Sequence, residues 1–418
     1  MPEFTFDGKA VPYQPGDTFG SALHRAGIKV LSRSLKYHRP RGLYCCTGSC
    51  ASCYVDVDGE PNVPACMRAA CPAVVTSQNR LGSAKHDLYA AADKVFRSGF
   101  DPHDMMTRPR ILNEAFLRVV RHMSGLGRAP KDGAHSKTRA ARRGSGGGST
   151  AGPVRRQLAV DELIVGGGQE GLHRAREAGQ ARVGRVLLVD EMPELGGSAS
   201  WDPLEAGTRD VARSLAPWQG VESWTSSVCF GLYNDPGAPI GLVAGIMRPG
   251  PAGHDLWEVR PRRITIAPGR HDSWPVFENN DLPGVLSLRG AERLLNAHGV
   301  LPGRRIVGHG GRLPKTFVAQ LESKGSDVVA QGVVRAVRGG THVSAARLGD
   351  AWIDCDAVVC NLAGTPRVEL FQQAGCDLRF DASGVLAPVV DKAGATTRHG
   401  VHARFGPAPD APLLEVLR

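Results

Sequence analysis

Four cysteines in ten residues constrain this chain more than any other feature. They lie in YCCTGSCASC, from Tyr44 to Cys53, and a further cysteine follows at Cys66. Four residues separate Cys45 from Cys50, two separate Cys50 from Cys53, and twelve separate Cys53 from Cys66. C-x4-C-x2-C with a distant fourth cysteine is the plant-type arrangement for a 2Fe–2S cluster. A tight loop wraps one edge of such a cluster and supplies three thiolates, and the fourth comes from beyond the next hairpin. Gly48 stands mid-loop, where the backbone must turn its N–H groups towards the sulfides. The expected ligands are Cys45, Cys50, Cys53 and Cys66. Cys46 gives C-x3-C and reads as a small buried hydrophobe; Cys71 is a spare. A structural zinc site is the rival reading, and a disulfide framework fits less well.

At 418 residues the chain is long enough for two or three domains with real cores. MPEFTFDGKA carries an early Glu3 and no apolar core, so no signal peptide is expected. No apolar run is long enough to cross a bilayer. A cytoplasmic location follows, where clustered cysteines bind metal more often than they pair. The net charge of +10 raises the question of nucleic acid, but its placement argues against that partner. Eight Lys/Arg against Asp132 fall between Arg128 and Arg156, around RRGSGGGSTAGP, which reads as a solvated flexible linker.

Three blocks emerge: residues 1–100, a connector with the basic Gly/Ser linker over 101–157, and residues 158–418. The first opens with two strands around the Asp7-Gly8 turn, then a short helix capped by Asp17 or Thr18 and ended by Gly27. Beyond the cysteines, CYVDVDGEPNV alternates into the Asp58-Gly59 turn. The connector is partly helical at ILNEAFLRVVRHM. From Gln157 the pattern becomes strand, Gly-rich turn, helix, strand, the signature of a parallel α/β sheet.

LIVGGGQEGLHRA places Gly166, Gly167, Gly168 and Gly171 between a strand and a helix in G-x-G-x-x-G register. Gly166 makes the turn, Gly168 lets the backbone meet a pyrophosphate, and Gly171 allows close helix–strand packing. RVLLVDE then ends in Asp190, with Glu191 as its neighbour, where a carboxylate binds ribose hydroxyls. The alternative is a Gly-rich loop that binds nothing. The helix LHRAREAG is more charged than a packed helix of this kind should be, and a loose fit is expected.

RRIVGHGGRLPKTFVAQLESKGSDVVA repeats the logic with Gly308, Gly310 and Gly311. Pro314 stands at the third glycine position, and Ala330 and Gln331 end the next strand where an acid is wanted. Dinucleotide binding and a structural role both remain open for this loop. Arg335 and Arg338 are candidate phosphate contacts. His173, His309 and His402 lie in or near these loops, and each reads more simply as a polar contact than as a catalyst. No catalytic residue is identified.

With these residues in view, the chain resembles the N-terminal part of the α subunit of heterotetrameric sarcosine oxidase and the related subunits of hydrogen cyanide synthase, opine oxidase and dye-linked proline dehydrogenase. LKYHRPRGLYC, CYVDVDGEPNVPAC, SQNRLGSAKHDLYAAADKVF, SGLGRAP, VGGGQEGLHRA, VLLVDEMPELGGS and FENNDLPGVL carry the likeness, in that order, over about residues 3–406. The resemblance implies an α/β protein: an N-terminal α+β, ferredoxin-like β-grasp domain with a 2Fe–2S cluster, then a Rossmann-like two-dinucleotide flavoprotein domain. It implies FAD or NAD(P) on Gly166, Gly168, Gly171 and Asp190, with Gly196 and Gly197 approaching the same cofactor. It also implies a flavoprotein β subunit that takes the small amine or imino-acid substrate.

Two departures stand out. The late GVYAAGD motif of the family reads GVHARFG from Gly400 to Gly406, without its Asp, and ATG reads Ala267-Pro268-Gly269. The resemblance ends before the family's folate-binding C-terminal domain, so that domain and one-carbon transfer are not expected in these residues. The four cysteines align it with the dehydrogenase and cyanide-synthase branch. The expected function is electron transfer between flavin and cluster in an amine or imino-acid dehydrogenase. A free-standing NAD(P)H-dependent reductase and a non-catalytic nucleotide-binding scaffold are the alternatives.

Overall fold

Strand-formers punctuated by turn glycines dominate the chain, and sheets dominate its computed structural model. The structure describes residues 1–34, 37–88, 155–201, 218, 220–250, 253–381 and 384–406. The connector helix and most of the linker lie outside these residues. The chain divides into two compact units that do not follow its linear order. Residues 274–362 group with the N-terminal residues 1–144, and residues 145–273 group with 363–418.

In the first unit, Glu3–Phe6 and Lys9–Pro12 form a hairpin, and Tyr54–Val57 and Glu60–Pro64 form another. The strand Val74–Ser77 joins them, pairing parallel with Glu3–Phe6 and antiparallel with Tyr54–Val57. Asp7 and Asp58 adopt left-handed backbone at the two turns, each followed by a glycine, as an Asp-Gly hairpin turn requires. Phe19–Arg25 is the short helix. Thr18 caps it through a reciprocal bond with Ser21. Asp17 instead accepts from the Gln14 backbone and from Ser21 and pairs with Arg25.

Residues 285–361 of the same unit build a four-stranded parallel sheet, in the order Val285–Ser287, Ala357–Asn361, Arg305–Gly310, Asp327–Gly332. One apolar core spans both parts: Phe4, Phe19, Leu23 and Val55 cluster with Leu294, Ile306, Phe317 and Val359. That shared core explains why the late residues group with the early ones.

The second unit centres on a five-stranded parallel sheet. Its order is Val221–Trp224, Val186–Val189, Glu162–Val165, Ile264–Ile266, Val401–Ala403. Glu162–Val165, the first of these strands in sequence, lies between a later strand on either side, so a crevice opens at its carboxyl end. The helix Gln169–Gln180 packs on this sheet through Leu172, Ala175 and Ala178, all fully buried. The expected loose fit is corrected: Arg174 turns its charge onto the fully buried Glu162, whose carboxylate also accepts from Thr265.

A second sheet of this unit runs Val228–Asn234, Leu242–Gly250, Gly253–Pro261, Arg155–Val160. The linker is therefore shorter than its composition suggests. Arg155, Arg156 and Gln157 form an edge strand, with Arg155 paired to Glu258 and Arg156 to Asp255. Edge strands carry exposed charge, so their sequence reads as linker.

Candidate functional site

The cysteine loop is built on backbone that most residues avoid. Cys46, Gly48 and Ala51 all have left-handed φ, at 52°, 79° and 54°. Such clustering of sparsely populated conformations marks functional loops, because surrounding contacts must hold them in place. The loop curls the chain so that Cys45, Cys53 and Cys66 are buried and Cys50 is half-buried. Their thiols lie within interaction range of one another: Cys45 with Cys50 and Cys66, and Cys66 also with Cys53. These interactions push the Cys45 and Cys53 thiols down and those of Cys50 and Cys66 up. The Thr47 N–H donates to the Cys45 sulfur at 3.4 Å.

Among the described residues, no three His, Cys, Asp or Glu side chains are placed to hold a single metal ion. Four neighbouring thiols with no single-ion site among them suit a two-iron group better than one zinc ion. Cys46 is buried in the adjoining apolar core, and Cys71 is exposed.

The first glycine loop lies at the carboxyl end of Glu162–Val165. A Cβ on Gly171 would sit 1.8 Å from the Gly166 carbonyl oxygen, and one on Gly166 would sit 2.0 Å from that of Ala267. Both glycines are demanded by the chain's own packing. Gly168 differs: a Cβ there would meet nothing nearer than the Gly197 Cα at 4.0 Å. Its φ of −71° and ψ of −172° suit any residue, and it caps the helix without a side chain. A glycine that its own fold does not require, facing open space at a helix N-terminus, fits a site where an anion comes close to backbone. Gly196 runs beside it, bridging to Gly168 and donating to the Gly167 carbonyl at 2.8 Å.

Asp190 turns its carboxylate inward, accepting from the Gly167 and Met192 N–H groups, and burial pushes its pKa up. Glu191 is exposed and pairs with Arg367 at 2.7 Å. Across the sheet, Arg404 of the altered late motif pairs with Glu177, and Phe405 packs near Phe371. Gly406 stands beside Glu170, in the helix's first turn.

In the second loop, the Gly311 N–H is taken by the Asn361 carbonyl and the Leu313 N–H by the Gln331 side chain, both at 2.9 Å. Gly308 and Gly310 end the strand Arg305–Gly310. His309 is fully buried there, while His173 is exposed. Arg338 lies over the Trp352 ring and Arg335 is exposed, so neither reaches this loop through a described contact. Sequence reasoning missed the closing roles of Gln331 and Asn361, which only the parallel pairing of their strands brings to the loop.

The family model described as a 2Fe-2S iron-sulfur cluster binding domain matches residues 2–80. The chain thus joins an iron–sulfur domain to α/β sheets with glycine-rich turns. It is 31% identical to the sarcosine oxidase α subunit of Rhizobium meliloti over 386 residues, covering 86% of this chain and 36% of that protein. One opine oxidase subunit of the same organism is 29% identical over 204 residues, 45% of this chain and 43% of that one. The chain is related to the sarcosine oxidase α-subunit family and spans about a third of the length of the sarcosine oxidase relatives it matches. The crystal structure of L-proline dehydrogenase from P. horikoshii shares the fold, with a TM-score of 0.67 at 21% identity, over 96% of this chain and 68% of that one. No helix among the described residues is long and apolar enough to cross a membrane.

Proposed function

We propose that this chain is the electron-transfer, α-type subunit of a hetero-oligomeric amine or imino-acid dehydrogenase or oxidase. The observation that carries the reading is the presence, in one chain, of four neighbouring thiols and a glycine loop whose Gly168 faces open space. The sheet topologies suit a β-grasp domain and a Rossmann-like, two-dinucleotide flavoprotein fold. Cys45, Cys50, Cys53 and Cys66 would hold a 2Fe–2S cluster, which supplies one-electron chemistry when bound. Gly166, Gly167, Gly168, Gly171, Gly196 and Gly197 would cradle FAD, with Asp190 or Glu191 near the ribose. NAD(P) at Gly308 and Gly310 is the lesser part of the proposal. The amine would be oxidised on a partner flavoprotein β subunit, in the cytoplasm.

Protein purified without oxygen should carry about two irons and two sulfides per chain. Cys66→Ser should lose them and Cys46→Ser should keep them, as visible spectra and metal analysis will report. Stoichiometric zinc without acid-labile sulfide rejects the cluster. The isolated chain should oxidise no amine, whereas its complex with a β subunit should reduce a dye with proline-, sarcosine- or opine-like substrates. Turnover of a secondary amine by the isolated chain would overturn the subunit reading. The missing acid at Gly406 favours one further possibility, a scaffold that holds no flavin, and FAD content after purification of the complex separates the two.

A further inference from the structure

We infer that the buried guanidinium of Arg293, with the N-terminus of the helix that carries it, raises the reduction potential of the group held by the cysteine loop. The inference rests on the iron–sulfur reading above. The helix Leu288–His298 begins at Ser287, whose N–H donates to the Tyr44 carbonyl at 3.2 Å. A Cβ on Gly290 would fall 2.2 Å from that same oxygen and 3.1 Å from the Cys45 carbonyl oxygen. Only glycine lets the first turn of the helix lie against the backbone at Cys45. One turn on, Arg293 is 8% exposed and donates to the Cys46 carbonyl. The same guanidinium nitrogen lies 3.5 Å from the Met67 sulfur, next to Cys66 in sequence. Met67 in turn covers Gly48, where a Cβ would meet it at 2.9 Å. The cation thus touches the chain neighbours of two expected ligands, Cys45 and Cys66.

A cluster held by four thiolates gains one electron on reduction, so its negative charge grows by one. A cation in low-dielectric surroundings, and the positive end of a helix, both favour that more negative state. Charge and hydrogen bonding around the sulfurs are the protein's means of setting such potentials. Arg293 is a positioning and tuning residue in this account, since it acts through the loop.

The test is a dithionite titration with redox mediators, following the visible and electron paramagnetic resonance spectra of the full chain. Iron and sulfide are measured first. Their absence from the wild type sinks the iron–sulfur reading itself; their presence leaves this inference to be judged on potential alone. Arg293→Gln should shift the reduction equilibrium about tenfold towards the oxidised form, ~59 mV downward for one electron. Arg293→Lys, which keeps the charge, should move it by less than half as much. A fully loaded Arg293→Gln protein with the wild-type potential overturns the inference, as does an equal fall in both variants. Should Arg293→Gln lose its iron, Ser287→Asp decides. It keeps a capping side chain and adds a negative charge at the same helix end. A downward shift supports the inference, and an unchanged potential overturns it.

Discussion

The two glycine loops share a plan and differ in what surrounds it. Each joins a buried parallel strand to a helix, and each is tied by a side chain from the end of the next strand. Asp190 accepts from the Gly167 N–H in one, and Gln331 accepts from the Leu313 N–H in the other. The first keeps open space beside Gly168. In the second, Asn361 takes the Gly311 N–H and donates to the Arg312 carbonyl, while Pro314, which lacks an N–H, caps the helix. Glycine spacing alone therefore does not make a phosphate cradle. Backbone that stays unclaimed by the chain's own groups is the more telling feature.

The sharpest way to break this comparison is to fill the space at Gly168. Gly168→Val should weaken FAD or NAD binding at least about 100-fold, ~2.7 kcal/mol, while stability stays within about 1 kcal/mol of wild type. Cofactor retention on gel filtration and thermal unfolding measure the two effects separately. A variant that keeps its full cofactor would show that the first loop is not the site. Next in size, Gln331→Ala should cost about 1–2 kcal/mol in the unit that holds residues 274–362, because the Leu313 N–H loses its acceptor. Cofactor content at the first loop should be untouched. If Gln331→Ala instead creates NADH binding, measurable by fluorescence, the second loop is a cradle kept closed by one amide.

Much of this was legible in the sequence because the signals were local. The Asp7-Gly8 and Asp58-Gly59 turns, the Thr18 cap and the strand–glycine–helix order of residues 162–180 each depend on residues a few positions apart. The cysteine spacing picked out four thiols, three of them buried and Cys50 half-buried. What sequence could not convey was long-range. Nothing local says that Gly290 must lie on Tyr44, or that Phe4 and Val359 share a core. The strand Arg155–Val160 was hidden because its exposed edge is charged. The charge on Gln169–Gln180 looked unfavourable only because Glu162, the buried partner of Arg174, reads as an ordinary strand residue.

The finest test of the contrast is acid. His309, in the second loop's strand, is fully buried against Phe277; its Nδ1 accepts from the Val334 N–H, and burial pushes its pKa down to about 4. An unfolded histidine takes its proton near pH 6.5. Between those values the unfolded chain binds more protons, so the stability contributed by neutral His309 is complete above pH 6.5 and falls towards pH 4. The loss between pH 7 and 6 should be under ~1 kcal/mol. His24 of the same unit, pushed down to about 3 mainly by burial, acts in the same direction. The measurement is therefore the difference in pH slope between wild type and His309→Asn, whose amide oxygen can still accept from Val334. At the first loop the sign reverses. Asp190 is raised by burial, so the folded unit holds its proton where the unfolded chain has released it, and acidification towards its ordinary value favours folding there. Amide exchange followed separately in the two units should show protection around residues 305–310 falling from pH 7 to 5. Protection around residues 162–172 should fall less, because raised Asp190 opposes His402, which burial pushes down in that unit; an equal fall in both would mean that the contrast between the loops does not reach their stability.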